Sequence, residues 1–291
     1  MQVPAQVEYE RAASIGHALS LLTAPDARVI AGGHSLIPMM KLRLAQPELV
    51  VDINDLTELS YIRLEGGELR IGALTTHADL LADPSVAALM PIFTDAERVI
   101  ADPIVRNWGT AGGSLCQADP SEDLSAAFAA TRATAVIQTQ AGPRTVPVRE
   151  FHLGPYETVI GPGELLTEIR VPLPAGAGSS YQKVERRSGD WSIAAAGALL
   201  CRDADGIITV AGLGLTAVGA AHFIAAEAEE FLLGQPAADE SFQAAAVIAA
   251  LHCRPVADQR GPEDYKRHLV AELTRRALRM AADRCAAGRC A

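Results

Sequence analysis

The stretch "AGGHSLIPMMKLRL", Ala31–Leu44, carries an apolar run into a segment with helical spacing, and a shorter echo, "AGGSL" at Ala111–Leu115, lies in "RNWGTAGGSLCQADPSEDL", a glycine-rich polar loop that interrupts a helical pattern. Each sets a Gly-Gly pair and a serine near a predicted helix start, where unpaired N–H groups and the helix dipole favour an anion. Glycine lets the backbone come close to phosphate oxygens, and Ser35, Thr110 and Ser114 add hydroxyl donors. One such loop alone reads equally well as a turn. Two near-copies in one chain predict a pair of jaws around a single diphosphate. Neither loop is a Walker sequence or G-x-G-x-x-G, which excludes the P-loop and Rossmann modes of holding a nucleotide. "GLGLTA", Gly212–Ala217, does fit G-x-G-x-x-A after a strand. The acidic residue that a dinucleotide site wants about 20 positions on is replaced by the helical "AAEAEEFLL".

Around the first loop, "SIGHALSLL" (14–22) has helical spacing, "ARVIA" (27–31) is strand-like, 36–44 is helical and "ELVVDI" (48–53) is a buried strand, together a small βαβ unit. "IRLEGGELRIG" predicts a hairpin turning at Gly66 and Gly67. It leads to a helix near Thr76, whose hydroxyl and Asp79 form a capping-box pattern. A helix is predicted from Pro91 to Val105 and another from about Pro120 to Ala130, with Asp119 as N-cap, Pro120 as first helical residue and Glu122 completing a capping box. Asp123 is then an extra first-turn carboxylate, able either to favour the dipole or to bond sugar hydroxyls. Strands follow at "TAVIQTQ" (134–140), "RTVPVREF" and "LLTEIRVPL", and "PLPAGAGSS" (172–180) reads as a linker. The second half predicts an antiparallel meander of "SYQKVERR", "SIAAAGALLCRD" and "IITVAGLGL". Helices over 221–233, 241–251 and 263–282 and a frayed tail "CAAGRCA" complete it.

A chain of 291 residues with 49% hydrophobic content supports about two domains with real cores. Its 35 acidic and 25 basic residues give a net charge of −10, which argues against nucleic acid or an acidic membrane as partner. Any anionic ligand must be held by local contacts. No apolar run reaches the roughly 20 residues of a membrane span, and "MQVPAQVEYERAAS" has no signal-peptide core, so the expected location is cytoplasmic. The five cysteines, Cys116, Cys201, Cys253, Cys285 and Cys290, form no CxxC pair and no metal spacing. They predict reduced thiols with Cys116 as packing, and no metal site in this chain.

The segments "AGGHSLIPMMKLRLAQPELVVDIN" and "TAGGSLCQADPSEDL", with "GELLTEIRVPLP", "YQKVERR" and "RGPEDYKRHLVAELTRRAL", resemble the FAD-binding medium subunits of molybdenum hydroxylases, the xanthine dehydrogenase family. The resemblance covers essentially the whole chain, and within the family it is to the aerobic carbon monoxide dehydrogenase branch. It implies an α+β fold. A two-part FAD-binding domain of the vanillyl-alcohol-oxidase (PCMH) type would span 1–175, with subdomains of about 1–55 and 56–175. A smaller domain with a three-stranded antiparallel sheet and helices would span 181–285.

By the same resemblance, FAD is bound noncovalently by Ala31, Gly32, Gly33, His34, Ser35 and Leu36 together with Thr110, Ala111, Gly112, Gly113 and Ser114. Asp123 would reach sugar hydroxyls, Leu166 the flavin region and Lys183 the ring. No residue of this chain is expected to act on the substrate. The implied partners are a large subunit with the molybdenum cofactor and a small subunit with two [2Fe-2S] clusters, in a dimer of heterotrimers. Electrons would leave to an external acceptor such as a quinone, and any membrane association would be peripheral, through the partners. Three alternatives stay open: a sister enzyme oxidising an N-heterocycle, purine or aldehyde, a self-contained flavin oxidase, and a flavin-free binding module. An oxidase would want an aromatic-lined substrate cavity in the second half, and aromatics are only 4% of the chain.

Overall fold

Ser14 starts the first helix: its hydroxyl accepts the His17 amide at 3.1 Å, so the chain turns helical where its apolar stripe begins. The computed structural model describes residues 3–285; the tail expected to fray, and Cys290 in it, lies outside the described residues apart from Cys285. Strands β1 (Glu8–Arg11), β2 (Ala27–Ile30) and β3 (Leu49–Asp52) form a parallel sheet in the order β1-β3-β2. They are linked through α1 (Ile15–Leu21) and α2 (Leu36–Lys41). Ala18, Leu19 and Leu22 pack with Val51 and Ile53 into a small core of their own, the expected βαβ unit.

Strands β4 (Ile62–Glu65) and β5 (Glu68–Gly72) meet at Gly66 and Gly67, both at positive φ (63° and 78°), as a tight hairpin with a primed turn requires. Helix α3 (His77–Ala82) carries the predicted capping box between Thr76 and Asp79. The helix predicted from Pro91 to Val105 is instead broken. After α4 (Pro84–Leu89), the chain forms α5 (Pro91–Val99) and then the short α6 (Pro103–Arg106). Ala101 sits between them at φ 49°, and Pro103 brings no N–H to continue the ladder.

The glycine-rich stretch read as a loop forms helix α7 (Ala111–Gln117), started by the Thr110 hydroxyl that accepts the Gly113 amide, and α8 (Asp123–Ala130) starts three residues later than expected. Its N-cap is Glu122 rather than Asp119. The Glu122 carboxylate accepts the amides of Leu124 and Ser125 at 2.8 and 2.6 Å, while Asp119 accepts the Ser121 amide at 2.9 Å and closes the preceding turn. Strands β6 (Thr134–Thr139) and β7 (Gly142–Pro147), the turn α9 (Val148–Phe151), the short pair β8 (His152–Gly154) and β9 (Glu157–Thr158), and β10 (Leu165–Pro172) follow. The strand expected through Phe151 therefore ends at Pro147. The second sheet is antiparallel, in the order β4-β5-β10-β6-β7.

Strands β11 (Gly178–Glu185), β12 (Ser192–Arg202) and β13 (Ile208–Thr216) form the predicted meander, so the linker is shorter than expected and ends before Gly178. A 3₁₀ turn at Ala221–Phe223, with His222 and Phe223 at positive φ, delays the next helix to α10 (Ala226–Leu232). Helices α11 (Asp239–His252) and α12 (Glu263–Arg284) complete the described chain. Among the described residues no helix is long and apolar enough to cross a membrane.

Strand β12 is buried on both faces, which explains its unbroken small apolar run. Ala194, Ala196, Ala198 and Leu200 join the core beneath α11 and α12, while Ala195 and Leu199 join the core that holds α5 and α8. "GLGLTA" gains its explanation here. A Cβ on Gly212 would lie 1.9 Å from the Ala130 carbonyl oxygen, and one on Gly214 1.9 Å from that of Ala126. These glycines let β13 seat against the backbone of α8 and bear no relation to a dinucleotide.

Gly214→Ala is therefore expected to destabilise the chain by about 1–3 kcal/mol or more, since backbone must move to admit the methyl group. Gly16→Ala, on the exposed side of α1 with only Ser14 Oγ at 4.0 Å, should stabilise it by up to about 1 kcal/mol through helix propensity. Thermal unfolding followed by circular dichroism reads both, and a Gly214→Ala midpoint equal to that of the parent would contradict the close approach.

Candidate functional site

The two glycine loops touch. A Cβ on Gly32 would fall 1.9 Å from the Trp108 carbonyl oxygen and 2.8 Å from the Gly109 amide nitrogen, so the β2–α2 loop lies backbone to backbone against the lead into α7. Gly33 has φ +72°, and a Cβ there would meet Ile37 Cδ1 at 2.8 Å. Both glycines are thus required by contacts inside the chain, a reason separate from the ligand space expected of them. Among the described residues, the amides of Gly33, His34, Ser35 and Leu36 have no protein acceptor. His34 and Ser35 are exposed, and Ser35, though it precedes α2, makes no side-chain cap. The first loop presents a short run of open donors.

The second loop is different, and the expectation of unpaired amides there is overturned. The Ala111 amide donates to Thr75 O at 2.9 Å, Gly112 to Ala73 O at 3.0 Å and Gly113 to Thr110 Oγ1 at 3.0 Å. A Cβ on Gly112 would lie 2.7 Å from Ala73, so this glycine packs α7 against the end of β5. Thr110, Ala111 and Gly112 are buried; Gly113 is exposed and Ser114 half-buried. What this loop offers outward is the Ser114 hydroxyl and the bare backbone of Gly113.

Asp123 and Lys183 are brought together, each bound to the other. Lys183 Nζ donates to Asp123 Oδ2 at 2.8 Å and to Val99 O at 3.0 Å, with Glu185 Oε2 at 3.4 Å. Asp123 Oδ1 accepts from Tyr181 at 2.8 Å and from Ser192 at 2.7 Å. The pair is buried, with side chains 7% and 2% exposed for Asp123 and Lys183. It joins the start of α8 to β11 and β12. Both residues, expected at sugar hydroxyls and at a ring, make this internal contact here. Leu166, 3% exposed, lies in the apolar core with Ile71 and Ile137. Cys116, expected as packing, is on the exposed side of α7, while Cys201, Cys253 and Cys285 are buried.

Sequence reasoning missed His77 and Glu97. His77 Nδ1 lies 3.0 Å from both carboxylate oxygens of Glu97, and His77 Nε2 lies 3.2 Å from Ser114 Oγ. His77 is 5% exposed and Glu97 fully buried. Burial works against charge on His77, but the Glu97 carboxylate outweighs it and raises the imidazole above its ordinary value. Burial raises Glu97 too, against the pull of His77. Burial also pushes Glu122 up to about 7. One signal was available: Glu97 follows Ile92, Phe93 and Ala96 on the buried face of α5, where a lone carboxylate needs a partner.

A family model described as the FAD binding domain in molybdopterin dehydrogenase matches residues 5–174, and one described as the CO dehydrogenase flavoprotein C-terminal domain matches 179–281. The chain is similar to the carbon monoxide dehydrogenase medium chain of Hydrogenophaga pseudoflava, 41% identical over 287 residues, covering 98% of this chain and 100% of that one. It is also similar to the glyceraldehyde dehydrogenase medium chain of Sulfolobus acidocaldarius, 36% identical, covering 95% of this chain and 98% of that one. Among solved structures, a chain of the Hydrogenophaga pseudoflava carbon monoxide dehydrogenase superposes with a TM-score of 0.93 at 42% identity, covering 98% of this chain and 100% of that chain.

Two outcomes are expected. Gly33→Val places a branched residue at positive φ, a strain of about 1–3 kcal/mol, and should weaken FAD by about tenfold or more while the chain stays folded. Isothermal titration decides, and an unchanged dissociation constant would remove the first loop from the site. Asp123→Ala leaves Lys183 buried without its carboxylate and should cost about 3–5 kcal/mol in urea unfolding of the FAD-free chain. The joint replacement of Asp123 by Leu and Lys183 by Met should recover most of that loss. A cost confined to FAD affinity would return Asp123 to a sugar-binding role.

Proposed function

From the premise that the chain belongs to the family of FAD-binding subunits of molybdopterin dehydrogenases, we propose that it is the electron-transfer subunit of a heteromeric molybdenum hydroxylase of the carbon monoxide dehydrogenase type. The observation that carries this reading is the pairing of the two glycine loops, within a chain that matches both domains of such subunits end to end. The residues present fit the diphosphate of FAD. Four open amides at Gly33–Leu36 supply positive dipoles, and Ser35 and Ser114 supply hydroxyls, while Thr110, buried, holds the Gly113 amide behind them. When bound, FAD supplies the capacity to accept electrons singly and pass them on singly or in pairs. The chain's own residues bind and orient it, and no side chain here is assigned a bond-breaking role.

We assign the FAD-binding part, 1–175, to the vanillyl-alcohol-oxidase kind, with subdomains meeting near residue 55, and the second domain to 181–285. The electron donor would be a small subunit with two [2Fe-2S] clusters, and the oxidation site would lie in a large subunit with the molybdenum cofactor, the three forming a dimer of heterotrimers. Apolar side chains flank the paired loops: Ile37, Leu42 and Leu44 on and after α2, and Ile104 and Trp108 on and after α6, are 41–71% exposed. A stable heteromeric interface of roughly 2,000 Å² or more would cover such a surface. The external acceptor is read as a quinone and the location as cytoplasmic, with any membrane contact made by the partners. A sister enzyme with another substrate is the second reading, favoured by the full-length glyceraldehyde dehydrogenase relative. The oxidase alternative wants an aromatic-lined cavity in the second half, and the cavity described there, along α11, is lined by Asp239, Glu240, Gln243, Ala244, Val247 and Ile248, with no aromatic among them.

The purified chain is expected to be yellow, to release FAD intact on denaturation, and to show no turnover with carbon monoxide alone. In anaerobic stopped-flow of the reconstituted complex, carbon monoxide should bleach the cluster absorbance before or with the flavin. Flavin reduction at full rate without the iron–sulfur subunit would overturn the relay, and reduction by an aldehyde but not by carbon monoxide would select the sister enzyme.

A further inference from the structure

The side chains of Glu97, His77 and Ser114 form a line from the buried face of α5 to the half-buried head of α7. The resemblance to a hydrolytic triad ends at the amides. Those of Ala111, Gly112 and Gly113, which would have to stabilise an oxyanion beside Ser114, are bonded to Thr75, Ala73 and Thr110. The line has another use. A phosphate or ribityl oxygen that accepts from Ser114 needs the hydroxyl proton pointed outward, and that orientation is favoured when His77 Nε2 carries a proton and donates to Oγ.

We propose that His77, held by Glu97, is a positioning residue for FAD: it donates through Nε2 to Ser114 and so turns the Ser114 hydroxyl toward the cofactor, which neither His77 nor Glu97 touches. The proposal rests on the flavoprotein reading above. Its logic is set by one proton shared in the buried pair. With that proton present, Nε2–H exists whether the pair is imidazolium with carboxylate or neutral imidazole with carboxylic acid. With it lost, Nδ1 keeps the remaining hydrogen for Glu97, and Nε2 becomes an acceptor that draws the Ser114 proton inward.

The ring's surroundings favour keeping the proton. Glu97 faces it from α5, and Glu122 and Asp123 act on it from the start of α8. Arg106 on α6 acts on Glu97 in the opposite sense. His77 is also locked in place, its amide donating to Gly109 O at 3.0 Å and its ring lying 2.8 Å from where a Gly109 Cβ would be. The sign follows: FAD should bind most tightly where the pair is protonated and lose affinity as pH rises through the pair's titration. FAD binding above that point should take up a proton.

The test is fluorescence titration of the FAD-free full chain with FAD from about pH 6 to 9. Ser114→Ala should weaken FAD by about tenfold at the acid end, the worth of one hydrogen bond to a charged group. His77→Leu should match it, and the two together should be no weaker than either alone. His77→Gln, whose amide donates at any pH, should keep tight binding and remove the fall with pH. A slope in His77→Gln equal to that of the parent would overturn the proposal and give the pH dependence to Glu122, and additive losses in the double variant would also overturn it. Should His77→Leu fail to fold, nitrogen-15 spectra of the imidazoles in the FAD-bound parent decide: a protonated Nε2 on His77 is expected, and a bare one overturns the assignment. A parent chain that binds no FAD at any pH would defeat the flavoprotein reading. FAD binding indifferent to Ser114→Ala would defeat this proposal alone.

Discussion

The seating of β13 on α8 is the contact on which the remainder of the molecule hangs. Helix α8 is buried along its whole length and carries only small residues and Phe128 between Leu124 and Ala130. Its carbonyls at Ala126 and Ala130 press onto a strand that has no side chain at Gly212 and Gly214. At that distance the two backbones have one mutual position, since close-packed interiors do not slide continuously. Everything carried by the meander is thereby placed relative to the first domain. Tyr181, Lys183 and Ser192 arrive at the head of α8 together, where Asp123 accepts from all three.

The charges at this junction are a consequence of that placement. Glu97, Glu122 and Asp123 are buried within reach of one another electrostatically, which burial alone would not tolerate. Each is compensated differently. Asp123 has the Lys183 ammonium, Glu122 has two amides at the start of α8, and Glu97 has the imidazole of His77. The imidazole that partners Glu97 also contacts Ser114, so the electrostatics of the interdomain junction reach the mouth of the glycine loops through a single ring.

What was legible in the sequence is what local chemistry decides. Thr76 announces its helix because a hydroxyl three residues ahead of an amide is a short-range device, and apolar spacing announces α1. Gly66 and Gly67 announce their hairpin, and period-2 and small-residue runs announce the meander. The break at Ala101 was hidden because the apolar spacing continues across it. Asp119, Glu122 and Asp123 lie within five residues, and which of them caps α8 depends on what β11 and β12 bring to Asp123. The loops themselves were legible, and so, through family resemblance, was FAD. Their inner workings were not, because a Gly-Gly pair spells the same whether it serves a turn at Gly33, a backbone contact at Gly32 or helix packing at Gly112. His77 and Glu97 are 20 positions apart on different helices, and only the tertiary fold makes them one unit.

The two loops, alike in sequence, end up complementary. The second spends its amides on Ala73, Thr75 and Thr110 and becomes a rigid wall. The first leans on that wall through Gly32 and keeps its own amides open. In a protein of net charge −10, long-range attraction gives nothing to an anionic cofactor. Affinity has to come from donors within hydrogen-bond distance, and such donors gain strength from being held still. A loop with open amides is held only by what its carbonyls accept, here Ala31 from Asn54, Gly33 from Ile37 and Ser35 from Met39. Resting it backbone to backbone on a wall whose own amides are satisfied adds to that hold, and it requires glycine at the point of contact.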